Sequence, residues 1–296
     1  MSSAAAQLAS GLHRGTSFAD YCIDPGINAS TLKLFTGRTP KHAKHDMDSA
    51  DDDSASLAIG HASHTAVLEP DLFDRLYAVY PKAEYVKLFG HPNSNKYKAA
   101  RDEWLAEHED RIIITDEQHE HARRIAEAVA GHPLASRLLM HNRGVNELTV
   151  IGEVDVNGQP MRTKARLDRV TEHEKFPALV DLKTIATRGG ILDGRNVSFA
   201  ITNYKYHQQA AWYLDRLGDH KPADRLFIFV FVENTPPYDV ACYMLEPESI
   251  EQGRRDNERS LKQYATGMRD GRWPGFSQQL QSVNIRDYAI QEGIDE

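Results

Sequence analysis

Two carboxylates and a lysine stand inside otherwise apolar, strand-forming sequence between Thr163 and Tyr213. The stretch opens with Thr163-Lys-Ala-Arg-Leu-Asp-Arg-Val170, in which Asp168 is the one acid. It continues with Ala178-Leu-Val-Asp-Leu-Lys-Thr184, which holds Asp181-x-Lys183, and then with Tyr206-His-Gln-Gln-Ala-Ala-Trp-Tyr213. Charges placed this way cost folding free energy unless they are paired or bind a metal, so a function is the better reason for them. The side-chain period of a strand puts Asp181 and Lys183 on one face, with Val180 and Leu182 on the other. In the preceding strand Asp168 shares a face with Arg166 and Lys164. If the two strands are neighbours, both aspartates converge on one cation, and oxygen ligands favour Mg²⁺ or Mn²⁺. Such an ion polarises a phosphoryl oxygen, brings up hydroxide and stabilises the leaving oxygen. Lys183 beside it orients the attacking water or offsets charge in the transition state. The plainer reading is an ion pair between Asp181 and Lys183 on a strand surface, with Asp168 paired to Arg166 or Arg169. A lone DxK favours that reading; a larger ordered set argues against it.

The elements that must position these residues follow from periodicity. Ile27–Phe35 reads as a cap and short helix, with Asn28 or Ser30 as N-cap. Ser54–Leu68 reads as a helix stopped by Glu69-Pro70, carrying Leu57, Gly60/His61, His64 and Leu68 on one face. Phe73–Val79 is expected as a strand, and Lys96–Glu109 and Thr115–Gly131 as helices. Their histidines (His108, His119, His121 and His132) are expected on charged, solvent-exposed faces. From Glu147 the period changes: Leu148–Val154, Arg162–Val170 and Ala178–Lys183 alternate like consecutive strands, with Asn157-Gly158 as a hairpin turn. Tyr206–Leu217 is helical, Leu226–Val232 is uniformly apolar as a strand buried on both faces should be, Asp239–Leu245 is a further strand and Glu246–Arg269 a long helix. The expected fold class is therefore α/β, a central mixed sheet flanked by helices. Residues 1–28 read as an arm, and the run Asp51-Asp-Asp53 as a solvated loop rather than a metal site.

Composition narrows the function. With 41% hydrophobic residues the chain can bury a core. No apolar run is long enough to span a membrane, and the N-terminal residues lack the basic and apolar regions of a signal peptide, so a cytoplasmic location is expected. Cys22 and Cys242 are the only cysteines, which fits a reducing compartment and excludes a four-cysteine zinc or iron–sulfur site. The net charge of −8 is unevenly spread. Met161–Arg225 carries 12 Lys/Arg against 8 Asp/Glu, which allows a locally basic groove on an acidic protein. Arg166, Arg188, Arg195 and Lys205 are the candidate phosphate contacts, although any one of them alone reads as a solvated surface charge.

The ordered set resembles the PD-(D/E)XK nucleases, in the branch that holds the RecB nuclease domain and the RecE-type phage exonucleases (exonuclease VIII). That branch carries, in order, GxxxH, a Glu before the sheet, GxxD, DxK and QxxxY. Here these are Gly60-His-Ala-Ser-His64, Glu147, Ala165-Arg-Leu-Asp168, Asp181-Leu-Lys183 and Gln209-Ala-Ala-Trp-Tyr213. The run Leu57-Ala-Ile-Gly-His-Ala-Ser-His-Thr-Ala-Val-Leu-Glu-Pro70 and the Tyr206-His-Gln-Gln context look closest to the RecE type, and the likeness extends from residue 27 to residue 245. Two positions depart from the pattern. Ala165 replaces the glycine of GxxD, and Leu167 stands where a proline often precedes the aspartate; both leave the carboxylate in place. Each motif alone is weak, whereas five in order are specific.

The resemblance implies a restriction-endonuclease-like core spanning residues 54–273, preceded by an arm with short helices (1–53) and followed by a tail (274–296). It implies Lys183, Asp181, Asp168, Gln209, Tyr213 and Glu147 as catalytic residues, and His64, Asp168, Asp181 and Leu182 as the metal-binding set. Gln209 and Tyr213 share a helix face four residues apart and would line the site, although Tyr213 reads equally as an amphipathic packing residue. The cofactor implied is Mg²⁺, with Mn²⁺ as a substitute that an imidazole ligand suits well. The activity implied is 5′→3′ digestion of linear double-stranded DNA from its ends, leaving 3′ single strands for recombination. The implied partners are duplex DNA ends, further copies of the chain in a tetrameric ring, and a single-strand annealing protein. The rival readings are a related endonuclease or nuclease of opposite polarity, a catalytically silent DNA-binding protein, and a zinc hydrolase centred on His61 and His64. No P-loop sequence is present for a motor.

Overall fold

The computed structural model describes residues 8–49, 55–141, 143–186, 191–219, 224–277 and 279–283. The acidic run Asp51-Asp-Asp53 and Arg188 lie outside these residues. Eight strands and twelve helices are described: β1 (Gly11–His13), α1 (Phe18–Ile23), α2 (Ala29–Lys33), α3 (Pro40–Asp48), α4 (Ala55–Leu68), α5 (Pro70–Leu76), β2 (Tyr77–Val79), α6 (Lys82–Phe89), α7 (Asn95–Glu107) and β3 (Ile112–Ile114). Then come α8 (Asp116–Gly131), α9 (Pro133–Leu139), β4 (Val145–Val156), β5 (Gln159–His173), β6 (Phe176–Ile185), α10 (Gly194–Asn203), α11 (Tyr206–Gly218), β7 (Leu226–Glu233), β8 (Val240–Met244) and α12 (Pro247–Asp270).

The central sheet runs β1-β4-β5-β6-β7-β8, with β2 and β3 forming a separate parallel pair. Only β6 and β7 pair in parallel within it, so the sheet is mixed as expected. The β4–β5 hairpin turns at Asn157 (φ 57°) and Gly158 (φ 81°), the left-handed pair that an Asn-Gly turn supplies. On one face Leu179 and Ile185 of β6 join Phe227, Phe229 and Phe231 of β7 under Trp212 and Leu217 of α11. On the other, Ala178, Val180 and Leu182 pack with Val67, Ile125, Val129 and Leu138 from α4, α8 and α9. The result is a helix–sheet–helix sandwich whose central strands are buried on both sides, as the uninterrupted apolar run of β7 requires.

Helix ends obey local chemistry. Asn28 caps α2 by accepting from the Thr31 N–H, Thr115 and Gln118 form a capping box at α8, and Pro133 opens α9. Two expectations need correction. Phe73–Val79 is a helical turn followed by a three-residue strand, because Pro70 starts α5 immediately after α4. The four histidines are not on open faces: His108 stacks on Trp104, His119 packs against Phe73, His121 meets Tyr238 edge-on, and His132 caps α9.

The arm reading also fails for residues 11–28. Gly11–His13 extends the sheet beside β4, and Ile27 bridges Thr163. The anchor is the basic row of β5. Arg162 binds Asp24, and the buried Lys164 ammonium donates to the carbonyls of Tyr21, Cys22 and Asp24. Arg166 donates to the carbonyl of Thr16 at 2.7 Å. Lysine and arginine residues that looked like a nucleic-acid groove therefore hold the N-terminal segment against the sheet. No described helix is long and apolar enough to cross a membrane.

Candidate active site

The site forms where two strands part. β5 and β6 pair from Arg169↔Val180 to His173↔Phe176 and no further towards Asp168 and Asp181. The Leu182 N–H, turned towards β5 beyond the end of that ladder, donates instead to Asp168 Oδ2 at 2.8 Å. A carboxylate thus takes the place of a strand carbonyl, and backbone hydrogen bonding is kept while the sheet opens. Opposite Asp168 on β4 stands Glu147, with φ at 50°. The left-handed region is costly for a glutamate, and such strain is concentrated at functional positions.

His64 comes from α4 in the helical layer, and its Nδ1 lies 3.6 Å from Asp168 Oδ2. One ligand atom from each of His64, Glu147 and Asp168 falls within 4.8 Å of the others, and among the described residues this is the one such group of three. The resemblance implied all three at the site, but with Asp181 and Leu182 rather than Glu147 joining His64 and Asp168 as ligands. Asp181 adjoins the group. Its carboxylate is 1% exposed; Oδ1 accepts from Gln209 Nε2 at 2.9 Å, and Oδ2 is in ion-pair contact with Lys183. The Lys183 ammonium is thus the charge partner that Oδ2 meets in this buried position.

Gln209 is the hub of the α11 side. Besides Asp181 it donates to the Tyr213 hydroxyl at 3.0 Å and accepts from Lys33 Nζ at 3.0 Å. Lys33 is a site residue that no motif flagged; a lysine in a short helix carries no signal in sequence. Leu182 offers only its main chain, since its side chain is fully buried in the opposite core. Arg166 is withdrawn as a phosphate contact: its guanidinium is engaged by Glu147 and the Thr16 carbonyl, and its side chain is 12% exposed. Lys205 directs its ammonium to the Lys33 carbonyl at 2.9 Å. Arg195 is exposed on α10. His61 packs edge-on against Phe18 and, among the described residues, belongs to no group of three or more metal-ligating side chains.

Electrostatics make the cluster ask for a cation. Burial and the Asp168 charge push the Glu147 carboxyl up to about 8, against the pull of Arg166. Burial raises Asp181 to about 6 and raises Asp168 as well, with Lys183 opposing in both. Burial, reinforced by Lys183, lowers His64 to about 4, so its imidazole is neutral and can offer a lone pair. Burial works against a charged Lys183, but Asp181 and Asp168 outweigh it and hold the ammonium protonated. Two crowded carboxyls, the buried Asp181 carboxylate beside them and a neutral imidazole suit a divalent metal of the Mg²⁺ or Mn²⁺ kind.

Comparison with known proteins agrees with this architecture. The family model of the PDDEXK-like domain of unknown function (DUF3799) matches residues 28–285. The crystal structure of a candidate exonuclease from Eubacterium rectale is similar over 91% of this chain and 94% of that chain, with a TM-score of 0.53 at 13% identity, a likeness of fold. Rai1 of Scheffersomyces stipitis aligns over 85% of this chain and 77% of that chain at 14% identity, but its TM-score of 0.29 is too low to carry weight. No curated protein matches the sequence.

Proposed function

The chain belongs to the PDDEXK-like domain family (DUF3799), and from that premise we propose that it is a divalent-metal-dependent deoxyribonuclease. One observation carries the reading. His64, Glu147 and Asp168 converge at the parting of β5 and β6, directly beside the Asp181–Lys183 pair. His64, Glu147, Asp168 and Asp181 would hold the metal, which when bound polarises the phosphoryl group and lowers the pKa of its water.

The chain's own groups do the rest. Lys183 keeps its proton next to Asp181 and places a fixed positive charge where phosphorane-like charge develops. Gln209 fixes the Asp181 carboxylate by holding Oδ1, and it is itself fixed by Tyr213 and Lys33. Burial keeps the Tyr213 phenol neutral, so its hydroxyl accepts from Gln209 and retains a proton to donate. Asp168 is oriented by the Leu182 N–H beyond the end of the β5–β6 ladder.

The finer reading rests on the RecE-type motif set: attack on linear duplex DNA from its ends in the 5′→3′ direction, leaving 3′ single strands. An acidic chain acts on DNA more readily when topology substitutes for affinity, which supports a ring of copies threaded by the duplex. A single-strand annealing protein is the natural recipient of the product. Digestion of linear duplex labelled at its 5′ or 3′ end, with Mg²⁺, Mn²⁺ or EDTA, tests this. Metal-dependent release of the 5′ label first is expected. Release of the 3′ label first would reverse the polarity, and cutting of closed circles would make the enzyme an endonuclease.

A further inference from the structure

Lys33 lies outside every motif, yet its ammonium reaches the site. It ends α2, whose start is fixed by the Asn28 cap and by the bridge from Ile27 to Thr163. Nζ donates to Gln209 Oε1 and sits 5.2 Å from the centroid of the Tyr206 ring. Lys183 Nζ approaches the same ring at 4.9 Å. Lys205 lies behind, bonded to the Lys33 carbonyl. The carboxylate that acts on Lys33 is Asp181, and Asp181 is already matched by Lys183. Burial and the repulsion of Lys183 pull Lys33 down to about 7.

An ammonium has three donors; Gln209 takes one. Orienting Gln209 would need only a neutral donor, and glutamine or serine would serve. A partly buried cation with no acid of its own costs folding free energy that an incoming anion removes. At a nuclease site that anion is a phosphate. The geometry points to Lys33 as a substrate-binding residue: steered by Gln209, its ammonium takes a non-bridging oxygen of a DNA phosphate beside the Asp181–Lys183 pair. This deepens the nuclease reading and rests on it.

The test is binding of a short labelled duplex at about pH 6, where Lys33 carries its proton, followed by anisotropy in EDTA from about 50 to 200 mM salt, for the wild type, Lys33→Gln and Lys33→Arg. Each phosphate contact contributes about 0.9 to the slope of log K against log salt. Lys33→Gln keeps a donor for Gln209 but loses the charge, so its slope should be shallower by about 0.9, with KM for DNA raised several-fold and kcat little changed. Lys33→Arg should keep the wild-type slope. Lys33→Met, which keeps the buried stem, replaces the glutamine variant if that one melts early. A wild-type slope in both neutral variants, with kcat reduced, would show that Lys33 acts through Gln209 alone and overturn the inference while the wild type still digests DNA. A wild type that neither binds nor digests DNA would overturn the nuclease reading and this inference with it.

Discussion

Without metal, the stability of this protein should fall as pH rises from 5 to 8, and Glu147 should be the main cause. The glutamate's folded-state pKa is raised from 4.5 to about 8 by burial and by Asp168. Between those values the folded chain keeps a proton that the unfolded chain has released, so stability is fully present below pH 4.5 and is lost as pH climbs towards 8. At about 1.4 kcal/mol per tenfold change in proton affinity, the ceiling is about 5 kcal/mol. Glu147 and Asp168 share that proton, and water reaching a side chain that is 15% exposed screens the charge. A loss of about 2–3 kcal/mol is therefore expected, which for a chain of this size lowers Tm by about 4–10 °C. A bound divalent ion needs the ionised carboxylates, so its stabilisation should grow over the same window. Thermal unfolding in EDTA and in Mn²⁺ between pH 5 and pH 8 measures both effects, with Glu147→Gln as the reference. The variant should show a flatter curve in EDTA and a smaller response to Mn²⁺. Parallel pH profiles for wild type and Glu147→Gln, or equal stabilisation by Mn²⁺ at pH 5 and pH 8, would refute the reasoning.

Further expectations concern single residues. Asp168→Asn keeps the acceptor for the Leu182 N–H and removes the repulsion on Glu147, so it should raise the metal-free Tm at pH 8 while lowering nuclease activity by about a thousandfold or more; a drop in both would place Asp168 in the structure rather than in the chemistry. Gln209→Leu frees the Asp181 carboxylate and leaves buried polar partners unmet, which should reduce kcat by roughly tenfold or more and cost about 1–3 kcal/mol in urea unfolding. Lys164→Met strands the carbonyls of Tyr21, Cys22 and Asp24; it should cost about 2–4 kcal/mol and open residues 16–24 to limited proteolysis. Gly253→Ala would place a Cβ 2.2 Å from the His207 carbonyl oxygen where α12 crosses α11. It should cost about 1–3 kcal/mol, read as a lower urea midpoint with an unchanged m-value.

Much of the sheet was legible because its signals are local. The Asn157-Gly158 turn, the alternation of β4 to β6 and the apolar run of β7 each fix an element without reference to the rest. The short elements (β1, α1, α6 and β3 among them) escaped because three to eight residues carry too little periodicity. Asp168, Asp181 and Lys183 could be named from residue type and spacing, and His64, Glu147, Gln209 and Tyr213 from the resemblance, but their partners could not. Nothing in sequence says that the β5–β6 ladder stops at the Arg169↔Val180 pair, so the opening at which Glu147 meets Asp168 and His64 had to come from the fold. The positive charges of β5 misled for a related reason. A lysine that donates to three carbonyls of a distant segment, as Lys164 does, looks in sequence like one that waits for a phosphate. Lys33 was missed in the opposite sense, since only the fold carries it 176 positions along the chain to Gln209.

The central claim is that the parted strands house a metal-dependent centre for phosphodiester hydrolysis. The most direct measurement is nucleotide release from linear duplex DNA by the purified full chain, in Mn²⁺ or Mg²⁺ and in EDTA, with Asp181→Asn at equal concentration. Release that needs the metal and disappears in Asp181→Asn, with the variant still folded by circular dichroism, is the expected result. Release that persists in EDTA, or that Asp181→Asn retains at the wild-type rate, would contradict the claim.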